Sequence, residues 1–322
     1  MAVITGPAIA ILFAFDLSQA TDCYSYLGIA DFNFEQSPVR RFRVIIPFTA
    51  ALLNKVFGAI FVKLAPTYFK GDFGLPFSFF IVNSMLMSYF GVLIYRYCKA
   101  YGLAPVVALL GVLVMLTCRY TSYLAALPLV DSLFCVVVAM SLLGIKERNT
   151  PMLIAAIFVG PFAKESFIFI APLIFFYGHI NKGKQLVYLA LSGALVFSYR
   201  YIYELYAPAM HFSGLKADLS HIYRIPVYIK SLLSFTGFYK MFSNLFVWTL
   251  IPLLAYLYVP GYFKTWWKQK DYLFLWFMLS VMLQMLLSGS LERMFYISMP
   301  ALCLWVAVSA NELKKQYMTA EK

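Results

Sequence analysis

Val44-Ile-Ile-Pro47-Phe-Thr-Ala-Ala-Leu-Leu-Asn54-Lys55-Val-Phe-Gly-Ala-Ile-Phe-Val62 is the stretch on which the architecture turns. It approaches the ~20 apolar residues that a bilayer-crossing helix needs, yet Pro47, Asn54 and Lys55 interrupt it. If it spans, the basic clusters Arg96/Lys99, Lys146/Arg148, Lys182/Lys184 and Lys264/Lys268/Lys270 lie opposite a cytoplasmic N-terminus. If it lies along the surface, all four clusters are cytoplasmic, together with Lys314 and Lys315. The second arrangement divides Lys and Arg almost evenly, but the inner residues crowd into short segments while the outer ones spread through long loops. Short dense clusters carry the topology signal. The 44–62 run is therefore read as an interfacial helix.

Composition places the rest of the chain in lipid. Hydrophobic residues make up 62% and charged residues 12%, about half the charge of a soluble domain. The fold class expected is an all-α, polytopic transmembrane protein forming one integral membrane domain over 1–322. Apolar runs at 2–15, 74–95, 104–118, 131–144, 151–162, 166–179, 185–207, 241–259, 272–288 and 294–309 predict about ten membrane helices. Short runs such as 151–162 are read as sheltered hairpins lining a water-filled cavity. Two long external segments follow, 16–73 with interfacial helices and 208–240. Met1–Phe15 has no basic n-region and reads as a retained first helix. Both termini are expected in the cytoplasm, and the membrane is expected to be a bacterial inner or plasma membrane. The net charge of +12 sits in short clusters between apolar runs, which speaks for topology and against nucleic acid. The five cysteines lack metal-binding spacing and read as small buried hydrophobes.

With this topology the unusual polar residues converge on the external face. They are Asp16 and Asp22, then Arg40, Arg41 and Arg43, then Arg119 and Asp131, then Lys164 and Glu165, and finally Glu292 and Arg293. Each has a plain explanation. Asp22 and Asp131 are good N-caps, the three early arginines suit lipid headgroups, and Lys164-Glu165 and Glu292-Arg293 can neutralise themselves. Their recurrence at successive turns on one face is what predicts a charged cavity.

Taken in order, these residues resemble the GT-C superfamily of polytopic glycosyltransferases, which take sugars from polyprenyl-phosphate carriers. Asp22-Cys-Tyr-Ser-Tyr26 is similar to the acidic motif of the family's first external loop. Arg43-Val-Ile-Ile-Pro47 resembles the Arg-x-Leu-x-Pro element after it. Arg119-Tyr120 followed by Pro128-Leu-Val-Asp131-Ser-Leu-Phe134 resembles the second-loop segment. Ala163-Lys-Glu165-Ser resembles the basic-Glu turn, and Glu292-Arg-Met-Phe-Tyr-Ile-Ser-Met-Pro300 the Arg-x(n)-Pro element of a late helix. Two departures stand out. Cys23 follows Asp22 where an adjacent acid would support a metal, and no C-terminal soluble domain is expected, so acceptor recognition does not carry over.

The resemblance implies a GT-C-like fold with amphipathic helices in the first external loop. It also implies inverting transfer of a sugar from a polyprenyl-phosphate donor to a hydroxyl acceptor on a glycan, lipid or protein. Asp22 would be the base, since proton transfer needs a positioned carboxylate. Arg43, Arg119, Lys164 and Arg293 would hold the donor phosphate, with Arg293 and Arg43 foremost, because arginine grips phosphate through two hydrogen bonds. Asp131, Glu165 and Glu292 would orient those cations or contact the sugar. No cofactor is required; a divalent ion (Mg or Mn), if used, would sit at Asp22 and Asp131. Rival readings are an O-antigen polymerase or ligase, a transporter or flippase for a lipid-linked or anionic substrate, and a membrane assembly subunit.

Overall fold

A computed structural model describes the chain except residues 1, 18–19, 35, 37–39, 65–72, 208–222, 224, 265–270, 289–290 and 321–322. Among the described residues the secondary structure is helical throughout. The helices are α1 (Ala2–Ala14), α2 (Thr21–Ala30), α3 (Ile45–Lys63), α4 (Gly74–Ala100), α5 (Pro105–Thr117), α6 (Arg119–Ala126), α7 (Asp131–Lys146) and α8 (Thr150–Ala163). A 3-10 turn at Glu165–Phe169 leads into α9 (Ala171–Tyr177) and then α10 (Lys182–Tyr206). The remainder are α11 (Ile225–Leu232), α12 (Phe235–Phe242), α13 (Leu250–Tyr258), α14 (Tyr272–Ser288), α15 (Leu291–Phe295) and α16 (Met299–Ala320).

Among the described residues four helical stretches are long and apolar enough to cross a membrane: Ile45–Lys63, Gly74–Ala100, Lys182–Tyr206 and Leu291–Met318. Two bent pairs raise the number to six, Pro105–Thr117 with Arg119–Ala126 at 61° and Phe235–Phe242 with Phe246–Tyr258 at 101°. The expected 241–259 run is thus a sharply broken element. The 166–179 run is likewise divided between the 3-10 turn and α9.

The 44–62 stretch, expected as an interfacial helix, forms the continuous helix α3. Pro47 falls in the first turn of α3, where the backbone N–H has no intrahelical partner to lose. Asn54 and Lys55 are tolerated because α3 is peripheral, with Leu52, Val56, Phe57, Ile60 and Val62 all exposed. Of the second external segment, 208–222 and 224 lie outside the described residues, and 225–240 forms α11 and α12.

Pairings between helices distinguish two ends of the bundle. At the far end, Arg96 of α4 pairs with Glu147 after α7. Lys146 there reaches Asp271 at 3.3 Å and lies 3.9 Å from the Tyr101 ring. The Thr150 hydroxyl at the start of α8 meets His179 at 2.8 Å, and Lys182 donates to the last carbonyls of α9, a common helix-end device. α4 stops at this end because Gly102 takes φ +78°, the left-handed conformation glycine adopts without steric cost. The opposite end gathers α2, α6, the start of α7, the turn after α8, the end of α10 and α15.

Candidate active site

Asp131 is placed by a buried clamp. Asn83 of α4 donates through Nδ2 to the carbonyls of Leu127 (2.9 Å) and Leu129 (3.0 Å), while its Oδ1 accepts from the Ser132 hydroxyl at 2.5 Å. One amide therefore fixes the turn on both sides of Asp131 and satisfies buried carbonyls that would otherwise be costly to strand. Asp131 is not the cap of α7; Val130 holds that position. Its two oxygens are divided instead: Oδ1 accepts from Lys164 Nζ at 2.7 Å, and Oδ2 accepts from Nε (2.8 Å) and Nη2 of Arg293.

Lys164 reaches Asp131 because α8 ends at this residue. Its backbone is extended, with φ −166° and ψ 143°, so the chain breaks there and restarts as the 3-10 turn. The following residue, Glu165, faces a different pair of cations. Its Oε2 accepts from Nε (2.9 Å) and Nη2 (2.8 Å) of Arg43, and its Oε1 accepts from Arg200 Nη2 at 3.0 Å. Arg43 also donates through Nη1 to the Tyr26 hydroxyl at 2.9 Å.

Asp22 completes the arrangement from α2. Ala20 is the N-cap of that helix and makes no side-chain cap, so capping is not what Asp22 does. It lies in the first turn, where a carboxylate is favoured by the helix dipole, and its oxygens pair with Arg293 Nη1 and, at 2.5 Å, with Arg40 Nε. Arg293 therefore bridges Asp22 and Asp131. The side chains of Asp131 and Lys164 are 5% and 6% exposed, whereas those of Asp22 and Glu165 are 25% and 34% exposed. The inner pair forms a floor and the outer carboxylates meet the surroundings. Burial alone would push the Asp22 carboxyl up, but Arg293 and then Arg40 outweigh it and hold the group below the usual carboxylate range. Burial also pushes the neighbouring Cys23 thiol up to about 12, which leaves it un-ionised and unreactive.

Six of the eight sequence-predicted residues, Asp22, Arg43, Asp131, Lys164, Glu165 and Arg293, thus fall in two adjoining ionic groups at one end. Two do not. Arg119, at the start of α6, is exposed and enters none of the ion pairs among the described residues. Glu292 points away from its neighbour and accepts from the Tyr120 hydroxyl at 3.0 Å, because consecutive helical residues do not share a face. The sequence reading missed Arg200 and Glu204 as partners. Their signal was present: two charges four residues apart close a helix that carries no charge from Gln185 to Tyr199.

The donor set does not suit a divalent ion at Asp22 and Asp131. The guanidinium of Arg293 lies between the two carboxylates, and a metal there would have to expel it. Among the described residues no group of three or more His, Cys, Asp or Glu is placed to hold a metal. All five cysteines are free and buried. A separate cavity of about 380 Å³ opens at the far end, lined by residues including Tyr101, Asp271, Trp305 and Glu312. Its two acids are paired with Lys146 and Lys315, and none of the predicted residues lines it.

Compared with protein-family models, with curated protein sequences and with solved structures, the chain finds no match in any of the three.

Proposed function

We propose that the chain is an inverting glycosyltransferase of GT-C type, moving a sugar from a polyprenyl-phosphate donor to a hydroxyl acceptor on the extracytoplasmic face of a bacterial inner or plasma membrane. The observation that carries this reading is the meeting of Asp22, Asp131, Lys164 and Arg293, from four separate segments, in one part-buried network. In the proposed reaction the Asp22 carboxylate takes the acceptor hydroxyl proton as the acceptor oxygen attacks the anomeric carbon. The bond from that carbon to the donor phosphate oxygen breaks, and the phosphate leaves with the electron pair. Fixed cations favour a step in which negative charge develops on a leaving group. Arg40, Arg43, Arg200, Arg293 and Lys164 outnumber Asp22, Asp131 and Glu165 around the site, so the neighbourhood keeps positive charge for a phosphate.

Ten passes through the membrane fit the alternation of the segments between the two ends. The short α8 and α9 would be sheltered by their neighbours. Arg96, Lys99, Lys146, Arg148, Lys182, Lys184, Lys314 and Lys315 would then face the cytoplasm with both termini. An interfacial α3 is favoured by Lys55, which is exposed midway along the helix and would cost about 3 kcal/mol at the bilayer centre. A transporter, the principal rival, calls for charges near the midplane, whereas the ion pairs of this chain gather at the helix ends.

The test is transfer in membranes supplied with polyprenyl-phosphate sugars. Asp22→Asn is expected to lower turnover by about 100-fold or more with the protein still folded. Unimpaired turnover would remove Asp22 as the base.

A further inference from the structure

Arg41 is the largest fully buried side chain among the described residues, at 0% exposure, yet its Nε and Nη1 have no hydrogen-bond partner among them. A buried guanidinium normally spends its donors, since each one left unmade carries a desolvation penalty. Three further buried groups nearby are in the same condition: Arg200 Nε and the hydroxyls of Tyr199 and Tyr203. An aromatic frame holds them together. The Phe42 ring lies 5.2 Å from the Arg41 guanidinium carbon and 4.7 Å from that of Arg200, and the Tyr203 ring is 5.0 Å from Arg41. Tyr199 and Tyr203 sit with ring centroids 5.9 Å apart. Two cations and two hydroxyls with unspent hydrogen-bonding atoms thus gather about Phe42 and Tyr203.

We propose that Arg41, Arg200, Tyr199 and Tyr203 form a second anion-binding site, beside the Asp22–Asp131–Arg293 network, that takes a phosphate group. A phosphate has the acceptor oxygens to use donors of differing direction, and arginine is suited to it. Glu204 provides the entry. It pairs with Arg41 Nη2 at 2.6 Å while its own side chain is 45% exposed, so Glu204 is the partner of Arg41 that an incoming anion would replace from outside. Arg41 keeps its other Nη2 bond, to the Ala207 carbonyl at 2.7 Å, and stays in place as Glu204 swings out. Arg200 remains joined to Glu165 and through it to Arg43, so occupancy is felt at the neighbouring network.

The purified protein in neutral detergent is titrated with inorganic phosphate and, separately, with dioctanoyl phosphatidic acid against dioctanoyl phosphatidylcholine. The wild type is expected to bind at least one phosphate probe, and Arg41→Gln and Arg200→Gln to weaken it by about tenfold or more. Arg96→Gln at the far end is expected to leave binding unchanged. Binding of inorganic phosphate identifies a free-phosphate site; binding of phosphatidic acid alone identifies a lipid headgroup site. Should Arg41→Gln fail to fold, Tyr203→Phe and Arg200→Lys preserve the packing and are expected to weaken binding severalfold. Absence of binding to either probe, or binding indifferent to Arg200→Gln and Tyr203→Phe, would overturn the site. Binding is read without turnover, so its failure leaves the transfer reading standing, and failure of transfer leaves this site standing.

Discussion

The two ends of the bundle use the same residue types to opposite effect. At the far end the ion pairs are open. Arg96–Glu147 has side chains 43% and 27% exposed, and Lys315–Glu312 has 63% and 17%. At the site end Lys164–Asp131 is 6% and 5% exposed, and Arg293 at 17% ties Asp131 to Asp22. Exposed pairs contribute little to stability, whereas a buried pair is held only where neighbouring charges and hydrogen bonds offset its desolvation. The difference teaches that removing a far-end charge costs little, while removing one from the Asp131 network leaves its partners buried and uncompensated.

The comparison breaks most sharply on Asp131. Asp131→Ala leaves Lys164 and Arg293 buried together without their shared carboxylate, and unfolding in detergent is expected to show a loss of about 3–5 kcal/mol. Arg96→Ala is expected to lose under about 1 kcal/mol in the same measurement. Equal losses would mean that burial does not separate the two ends.

A smaller effect is expected at the clamp. Asn83→Leu strands the carbonyls of Leu127 and Leu129 and frees Ser132, for about 1–3 kcal/mol. Because that turn also positions Asp131, transfer should fall further than stability alone explains; a purely structural role would lower the two in proportion.

The smallest effect concerns pH. The Asp22 carboxyl is held below its ordinary range by Arg293 and Arg40 against the opposing effect of burial. Its ion pairs therefore contribute stability that is present above the unfolded value of about 3.9 and lost as pH falls through the lower folded value. The acid limb of turnover is expected below about pH 4. Arg40→Gln removes one of the cations and should move that limb upward by a fraction of a unit to one unit. A limb that stays in place would separate Asp22 from Arg40.

Much of the site was legible because charge is conspicuous in an apolar chain. Asp22, Asp131, Lys164, Glu165 and Arg293 stand out at the boundaries of hydrophobic runs, and each boundary falls at the same end of the bundle. Periodicity could not tell which carboxylate faces which cation. Glu292 and Arg293 are adjacent in sequence, yet one meets Tyr120 and the other Asp131, a division set by the 100° step between helical residues. Nor did Arg41 differ in sequence from Arg40 and Arg43. Packing buried Arg41 beneath Tyr203 and directed Arg40 to Asp22.

Sequence alone determined the helical class and singled out most of the charged residues that meet at one end, since hydropathy and charge are local properties that lipid-like surroundings magnify. Tertiary structure decided the continuity of α3 through Pro47, the bridging of Asp22 and Asp131 by Arg293, and the unspent donors around Phe42. Those depend on which helix faces meet, and contacts such as that between Asp22 and Arg293 join residues far apart in the chain.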